Sequence, residues 1–370
     1  MVINQSEDSS LLDPTLFPLL LFDYDYYEPG GDSTDDSIDG DLEDQEDHDG
    51  SDESEKSDND DETSEANGAF FFYSITKRLL LRKRVDHLKD HLYWTTPQGW
   101  MLMSHPDSHD TFLWNPFTHE RIGLPPDEDD FLPSTRIRCL LSHRPTDPDC
   151  VVVVVNCRDT ILWYCHPGAN RWSSHMYDYT GGNQWFTNMQ DVVAHDQIRR
   201  AAVRSMSSLT AVGGKFYAHM SDRVVRLEFL PNPTFTTIPA EEASNTGYSY
   251  TCSHSSLLES CGELFSLIMK HPTVCDHKVA QIEVQKLDLS TRAWVKVDKL
   301  DDRVFFVDSG CLGASLGAKE VGLKGNCIYF VRRQDKALYV YDMERGTTAV
   351  HDPGLDLPDD MAPEIVVPPS

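Results

Sequence analysis

The sequence predicts an all-β protein built as an irregular β-propeller of about six blades. Three observations support this fold class. Short apolar runs of strand length alternate with clusters of Gly, Pro, Asn and Asp between residues 16 and 350. A strand–turn–strand hairpin recurs six times along this span. Apart from one segment, no helical period interrupts the pattern, and radial closure would leave such short strands few exposed sheet edges.

The first hairpin is predicted around a long acidic insertion. Residues 16–22 precede the insertion and residues 69–75 follow it, and both runs are apolar and rich in aromatic side chains. We expect residues 19–22 to pair with residues 70–73, because the entropic cost of closing a loop grows only slowly with its length. In the alternative, residues 25–67 belong to a detached acidic tail and the first strand lacks this partner.

The insertion carries most of the negative charge of the chain. Residues 1–68 contain 24 Asp and Glu and one basic residue, whereas the whole chain has a formal charge of −29. Such a segment buries too little apolar surface to offset its ordering entropy, so we expect residues 25–67 to be disordered. The role is that of a solvating loop, an acidic docking segment for a basic partner, or a phosphorylation target. Ser33 and Ser57, each followed by Asp three residues later, are the candidate phosphorylation sites.

Residues 77–92 predict an amphipathic helix. Leu81, Val85, Leu88 and Leu92 recur at steps of three and four residues, and the segment is basic overall. The basic residues suit either a solvated helix face beside the insertion or a nuclear-import or nucleic-acid role. We expect no nucleic-acid partner, because a chain of charge −29 repels phosphate.

Five further hairpins follow from residue 99 onward. Each begins with an apolar run, turns through polar residues and returns in a second apolar run. Three of the second strands are followed by a resumed β run, at residues 171–172, 235–238 and 293–295. The paired runs are residues 100–103 with 112–114, 151–155 with 161–165, 215–220 with 224–229, 263–269 with 279–287, and 326–331 with 337–341.

These elements predict a simple domain organisation. An N-terminal extension at residues 1–15 precedes a propeller at residues 16–350, and a Pro- and Asp-containing tail occupies residues 351–370. The 292 propeller residues outside the insertion give about 49 residues for each of six units. This spacing is close to the ~50 residues of kelch-like blades. Five or seven blades also fit the irregular spacing.

Composition excludes several protein classes. The longest unbroken apolar run, residues 151–155, is far shorter than the ~20 residues of a membrane helix, so we expect no membrane partner. The acidic N-terminus has neither a signal-peptide nor a transit-peptide pattern. Nine cysteines without CxxC spacing do not indicate a disulfide framework, which favours a reducing compartment, the cytoplasm or the nucleus.

The sequence predicts no catalytic, cofactor-binding or metal site, and no cofactor. The common nucleotide-binding, zinc-protease and α/β-hydrolase motifs are absent. The densest metal-like grouping is His271, Cys275 and His277, which lacks the fourth ligand of a structural zinc site and is interpreted as a loop. His105 and His109 flank a Pro-Asp turn and are interpreted as exposed turn residues.

The remaining cysteine and tryptophan candidates are interpreted as packing residues. Cys139, Cys150 and Cys165 lie in or beside apolar runs and should behave as small buried apolar side chains. The tryptophans occupy strand positions, where packing within and between blades is favoured over the stacking of sugars. They are Trp94, Trp100, Trp114, Trp163, Trp172, Trp185 and Trp294.

Six motifs, in order along the chain, resemble a known plant family. They are Pro-Gln-Gly-Trp at 97–100, Leu-Trp-Asn-Pro-Phe-Thr at 113–118, Ile-Gly-Leu-Pro-Pro at 122–126, Cys-Leu-Leu-Ser at 139–142, Pro-Thr-Asp-Pro-Asp-Cys-Val at 145–151 and Gly-Asn-Cys-Ile-Tyr-Phe at 325–330. The chain resembles the KIB-type β-propeller family, a domain of unknown function frequently attached to an F-box. The similarity covers roughly residues 16–345. Where an F-box is present, the resemblance implies substrate reception for a ubiquitin ligase through a Skp-type adaptor.

The expected function is that of a non-enzymatic protein–protein interaction propeller whose partner protein is unknown. About 15 residues precede the first strand and contain no F-box, so we do not expect a Skp-type adaptor. One alternative is a substrate receptor of an SCF-type ubiquitin ligase that uses an unrecognised adaptor contact. Another alternative is a propeller hydrolase or lyase, which convergent His, Asp or Glu side chains at the channel mouth would support.

Overall fold

The computed structural model of the protein is an all-β fold of six sheets, which confirms the predicted fold class. It describes residues 2–4, 12–24, 69–133, 137–156, 160–177, 206, 208–220, 223–230, 232–239, 252–271, 279, 281–308, 313–332, 335–354, 357 and 361–369. The described chain contains 26 strands, a 3-10 turn at Pro14–Leu16 and a one-turn helix, α1, at Asp86–Lys89. Strands are numbered in chain order, and no helix of the described residues is long and apolar enough to cross a membrane.

Blade 1 combines strands from both ends of the chain. The N-terminal part supplies β1 (Val2–Asn4), β2 (Leu19–Tyr24), β3 (Ala69–Ser74) and β4 (Leu79–Arg84), and the C-terminal part supplies β26 (Met361–Val366). The spatial order is β1-β4-β3-β2-β26. The predicted first hairpin is confirmed, with Leu19 opposite Ser74 and Phe22 opposite Phe71. The second strand is shifted by one residue from the expected register.

Blades 2 to 5 are four-stranded antiparallel sheets whose strands pair in chain order. Blade 2 contains β5 (Leu92–Thr95), β6 (Met101–Ser104), β7 (Thr111–Trp114) and β8 (Arg121–Gly123), and blade 3 contains β9 (Ile137–Leu141), β10 (Val152–Asn156), β11 (Ile161–Cys165) and β12 (Ser173–Met176). Blade 4 contains β13 (Ser208–Val212), β14 (Lys215–Met220), β15 (Arg223–Glu228) and β16 (Thr234–Ile238). Blade 5 contains β17 (Cys252–Ser260), β18 (Glu263–His271), β19 (Gln281–Asp288) and β20 (Ala293–Lys296). The hairpins predicted in these four blades are therefore all present.

Blade 6 has five strands and departs from the repeat. They are β21 (Arg303–Val307), β22 (Gly313–Gly317), β23 (Cys327–Val331), β24 (Leu338–Asp342) and β25 (Thr347–His351). Their spatial order is β22-β21-β23-β24-β25, and β21 runs parallel to β23. The β21–β22 hairpin thus inserts an extra strand between the inner strand and the last predicted hairpin.

The blades pack face to face in a closed ring. Six apolar cores each join two neighbouring blades. Trp294 of blade 5, for example, packs with Tyr217 of blade 4. The ring closes where Phe306 of blade 6 packs with Leu20 and Ile365 of blade 1. Six blades, rather than five or seven, therefore form the propeller.

The predicted C-terminal tail at residues 351–370 is wrong. β26 pairs with β2 along its whole length, and Ile365 and Val366 are buried. Sequence analysis missed this strand because Pro363 lacks an N–H donor and argues against a central strand. In the structure β26 is the inner edge strand of blade 1, a position where proline is tolerated. The predicted extension at residues 1–15 likewise contains strand β1, which pairs with β4.

The predicted helix at residues 77–92 is also wrong. Most of the segment forms β4, which pairs with β3, and only α1 is helical. Leu80 packs between blades 6 and 1, whereas the adjacent Leu81 packs between blades 1 and 2. Strand alternation places these neighbours on opposite faces, and pairing with β3 overrides the helical spacing of the apolar residues.

The ring has two faces, which differ in their connections. We term one of them the insertion face, at which β2 ends and β3 begins. We term the other the closing face, at which β26 ends and β2 begins. The Tyr93 hydroxyl at the start of β5 donates to Asp23 near the end of β2 (2.7 Å), which places the start of blade 2 on the insertion face. Gly99, between β5 and β6, lies against Pro368 and Pro369 and therefore belongs to the closing face.

Candidate functional site

At several short turns of the closing face, basic and acidic side chains form ion pairs. Lys324 Nζ donates to Asp342 at 2.6 Å, and this hydrogen bond lowers the pKa of the Asp342 carboxyl. Similar pairs lie at the neighbouring turns: Lys215 with Glu228 (2.9 Å), Lys286 with Glu263 (2.9 Å) and Lys319 with Asp302 (3.5 Å). These basic and acidic groups neutralise one another locally, so the face offers no large excess of either charge.

The insertion face of blade 2 is a rigid turn held by its own polar groups. Between β6 and β7, the Nδ1 atom of His105 accepts hydrogen bonds from the backbone N–H groups of Asp107 (3.2 Å) and Ser108 (3.3 Å). The Ser108 hydroxyl donates to the carboxylate of Asp110 at 2.9 Å. The chain is thereby fixed with the Asp107 side chain exposed to solvent.

The connection from β8 to β9 is tied to the same turn by Asp127. The Asp127 side chain is 1% exposed, and its carboxylate accepts hydrogen bonds from the backbone N–H groups of Phe131 (3.1 Å) and Leu132 (2.8 Å). Its backbone N–H donates to the carbonyl oxygen of His109 at 2.9 Å. A buried carboxylate with these bonds orders the loop and joins both connections into one surface.

This surface presents five exposed carboxylates. We term it the acidic ledge: Asp107, Asp110, Glu128, Asp129 and Asp130. Among the residues that the structure describes, no Lys or Arg forms an ion pair with any of the five; the nearest ring nitrogen is His109 Nδ1, 3.7 Å from Asp130. The segment that joins β2 to β3 at the same face contains 20 Asp and Glu and a single Lys. Unbalanced negative charge of this kind attracts positively charged partners.

The channel lies inside the ring of innermost strands, β26, β5, β9, β13, β17 and β22. Arg138 on β9 and Glu364 on β26 are half-buried charged side chains of this ring. Within the described ranges, no group of three or more His, Cys, Asp and Glu side chains has metal-ligating geometry.

One Ser–His pair resembles the start of a nucleophilic site. Between blades 4 and 5, His219 Nδ1 lies 3.0 Å from Ser255 Oγ, and the imidazole packs edge-on to Trp294 at 6.1 Å between ring centroids. Burial lowers the pKa of His219 to about 4. A base with this pKa is a poor proton acceptor near neutral pH, where general bases work best with a pKa close to 7. The hydrogen-bond partner described for His219 is Ser255, not a carboxylate that would orient the ring.

The residues singled out by sequence have mixed outcomes. Cys139, Cys150 and Cys165 are buried and free, as predicted, and burial raises the pKa of the Cys150 thiol to about 11. Five tryptophans are buried at 9% exposure or less, which confirms their packing role: Trp100, Trp114, Trp163, Trp172 and Trp294. Trp94 is half-buried and packs against the core between blades 2 and 3.

Other candidates lie partly or wholly outside the described residues. Ser33, Ser57, Trp185, Cys275 and His277 fall in segments that the structure does not describe, as does the insertion at residues 25–67. His105 and His109 do lie in a turn, but both are half-buried rather than exposed. His105 organises the turn through its two accepted hydrogen bonds, a role that sequence reasoning did not assign.

Sequence reasoning also missed the acidic ledge and Asp127. The acidic residues between 107 and 130 are visible in the sequence, but two separate connections contribute them. Their convergence depends on strand direction in blade 2. The spacing of Asp127 from Phe131 and Leu132 is a local signal, since an Asp side chain often accepts hydrogen bonds from backbone groups a few residues later.

Comparison with known proteins identifies relatives of the chain. A family model described as the KIB1-4 beta-propeller matches residues 72–352. A curated F-box protein of Arabidopsis thaliana is 34% identical over 84 residues, which cover 21% of this chain and 20% of the relative. The chain therefore matches about a fifth of the length of that curated relative.

Several solved structures match the chain at low sequence identity. The β-propeller domain of Cps50 (Swd1) from Myceliophteria thermophila is 10% identical, with 77% of this chain and 80% of that chain covered and a TM-score of 0.34. YCF48 from Cyanidioschyzon merolae is 8% identical, with 74% and 73% covered and a TM-score of 0.34. A streptogramin B lyase is 6% identical, with 73% and 84% covered and a TM-score of 0.30.

Proposed function

The chain belongs to the KIB1-4 β-propeller family, and from this membership we propose that it is a non-enzymatic protein-binding propeller whose insertion face contacts a basic partner protein. The acidic ledge is the observation that carries this proposal. Five exposed carboxylates stand on a surface fixed by His105 and Asp127, whereas closing-face carboxylates such as Glu228 and Asp342 are paired with Lys side chains. A pre-ordered surface loses little conformational entropy when a partner binds.

The weakness of the Ser–His pair as a nucleophilic site supports a non-enzymatic role. His219, with a pKa of about 4, remains neutral and weakly basic at the pH where a hydrolase would work. Its imidazole packs against the Trp294 ring, in the apolar core between blades 4 and 5. We therefore assign His219 and Ser255 to blade packing rather than to catalysis.

Protein capture with two matched charge variants tests the binding face. Glu128→Gln with Asp129→Asn removes two exposed carboxylates from the acidic ledge, and neither side chain has a described hydrogen bond that holds the turn. Glu320→Gln with Glu344→Gln removes two exposed carboxylates from the closing face as the control. The full chain and both variants are immobilised, and proteins captured from an extract of the source tissue are quantified by mass spectrometry.

The proposal predicts that proteins captured by the unaltered chain are reduced several-fold with the ledge variant and retained with the control. Their loss should also be reproduced by raising the salt concentration, because exposed charge attraction is screened. Equal loss with both variants, or loss with the control alone, would place binding elsewhere. Capture no greater than that of an unrelated propeller would contradict the interaction role.

A second candidate is substrate reception for an SCF-type ubiquitin ligase. The 84-residue match to a protein named as an F-box protein favours it, since an F-box holds the Skp-type adaptor of such ligases. The same capture experiment distinguishes the candidates. Recovery of Skp-type and cullin subunits with the full chain would support ligase membership through an unrecognised contact, and their consistent absence beside other captured proteins would support a stand-alone binder.

A further inference from the structure

Four histidines form a continuous row on the rim between blades 1 and 2. We term it the histidine row: His105, His91, His87 and His119 in spatial order. Ring centroids are 5.3 Å apart between His105 and His91, 6.3 Å between His91 and His87, and 6.1 Å between His87 and His119. The rings come from the turn after β6, from α1 and the residue after its cap, and from the turn after β7.

The row lies on an aromatic floor contributed by β7. His91 packs edge-on to Phe112 at 5.2 Å, and His87 packs on Trp114 at 5.3 Å. Phe112 is 3% exposed and Trp114 is fully buried. The imidazoles therefore cover the outer rim of the core between blades 1 and 2, and Leu88 of α1 is buried in the same core.

Hydrogen bonds fix the tautomer of two of these rings. His91 Nδ1 lies 3.0 Å from the carbonyl oxygen of His87 and must donate to it, which leaves Nε2 as the lone-pair nitrogen of the neutral ring. His105 Nδ1 accepts from two backbone N–H groups, so its proton resides on Nε2. A second proton on His105 would have to occupy the nitrogen that accepts those bonds and would break them.

The charged groups around the row shift the pKa values of its rings in opposite directions. Arg121 stands 3.7 Å over the Phe112 ring and carries a permanent positive charge, and His119 and His105 add charge when protonated. Asp86 on α1 and Asp90 at its C-cap oppose this effect at His87, and the hydrogen bond to the His87 carbonyl opposes it at His91. Burial is the largest influence, and the pKa values of His87 and His91 are both lowered from the ordinary value.

We propose that the histidine row is a pH-sensitive latch that holds α1 on blade 2 when its rings are neutral and releases α1 under mildly acidic conditions. Protonated imidazoles gain further hydration by leaving the aromatic floor, and neighbouring protonated rings repel one another and Arg121. Release loosens the connection from blade 1 to blade 2, which lies on the insertion face. Release of α1 takes place within the chain and does not require the partner protein of the proposed function.

The sign of the effect follows from linkage. A released ring has the ordinary pKa of 6.5, whereas His87 and His91 have lower values in the closed state. The open state therefore takes up more protons below pH 6.5, and opening becomes easier as the pH falls. For each ring that is protonated only in the open state, the population of that state relative to the closed state rises by up to about tenfold for each unit by which the pH falls.

Hydrogen exchange of the full chain at pH 7.5 and pH 5.5 tests the latch. After correction for intrinsic exchange rates, we expect the backbone amides of residues 86–91 to lose at least several-fold protection at pH 5.5. His87→Gln with His91→Gln should remove most of this pH dependence. His351→Gln is the matched control, because His351 also has a pKa lowered by burial but lies in β25 of blade 6.

Two results would overturn the latch. One is equal protection of residues 86–91 at both pH values in the unaltered chain, and the other is a pH dependence that persists in the double variant. If the double variant does not fold, His91→Gln alone is measured, and it should halve the pH dependence on a logarithmic scale. Fluorescence of the full chain provides a second readout, since release of α1 uncovers Trp114 and should shift its emission to longer wavelength as the pH falls.

Discussion

Replacement of Trp294 by Ala tests the packing between blades most sharply. Trp294 is 8% exposed and contacts an apolar core that includes Tyr217, Leu257 and Leu287 from two blades. Truncation of the indole leaves a large cavity between rigid sheets that cannot collapse around it. Large-to-small changes of this kind lower the free energy of unfolding by about 3–5 kcal/mol. For a domain of this size the corresponding fall in Tm is roughly 6–15 °C.

The adjacent residue provides a matched control. Val295 lies in the same strand but is 48% exposed, so Val295→Ala should change the free energy of unfolding by no more than about 0.5 kcal/mol. Urea denaturation of the three proteins, followed by circular dichroism, measures the difference. A loss below about 1 kcal/mol for Trp294→Ala would refute the inter-blade position and would favour a surface role such as ligand stacking.

Three other perturbations have defined outcomes. Replacement of residues 25–67 by a Gly-Asn turn should leave the Tm nearly unchanged. Deletion of residues 1–67 removes β2 from between β3 and β26 and should abolish soluble expression. Equal Tm values for both proteins would contradict the fold of blade 1. Because the pKa of His219 is about 4 in the folded chain and 6.5 when unfolded, stability should fall progressively between pH 6.5 and pH 4. His219→Gln should reduce that slope in urea titrations, and an unchanged slope would show that the imidazole is not buried. EDTA should leave the Tm unchanged, and a fall of several degrees would reveal a structural ion.

Local patterns in the sequence identify most of the fold. Alternating apolar runs and turn residues locate the hairpins of blades 2 to 6, because both signals arise within a few residues of the strands themselves. The partner of β26 is a strand from the other end of the chain, so no local signal marks the pairing. Pro363 further disguises this strand, which is recognisable only once the ring requires an inner strand for blade 1.

The misassigned helix at residues 77–92 shows how tertiary pairing changes a local preference. The spacing of Leu81, Val85 and Leu88 suits a helix, and all three are buried as that spacing suggests. β3 nevertheless offers the backbone of residues 79–84 a hydrogen-bonding partner, and the chain becomes helical only after that strand ends. The periodicity therefore predicts burial correctly but not secondary structure.

The candidate site is less accessible to sequence reasoning than the fold. The carboxylates of the acidic ledge and the rings of the histidine row each come from separate connections around blade 2. Their proximity depends on the direction of every strand between them, which composition and spacing do not specify. Single residues such as His105 are visible as turn candidates, but their hydrogen-bonding roles emerge only from the folded geometry.

Strand β26 closes the ring by pairing with β2, and both faces of the propeller depend on this closure. Asp23 on β2 lies directly opposite Ala362 on β26, and both side chains are half-buried. Opposed residues of antiparallel strands are close enough for a disulfide, so Asp23→Cys with Ala362→Cys should cross-link under mild oxidation. Asp23→Cys with Thr347→Cys, on the outer strand of blade 6, is the control. Peptide mass spectrometry should find the 23–362 link in most molecules and no 23–347 link. Absence of the 23–362 link in the folded protein, or equal yields of both links, would contradict the closed propeller.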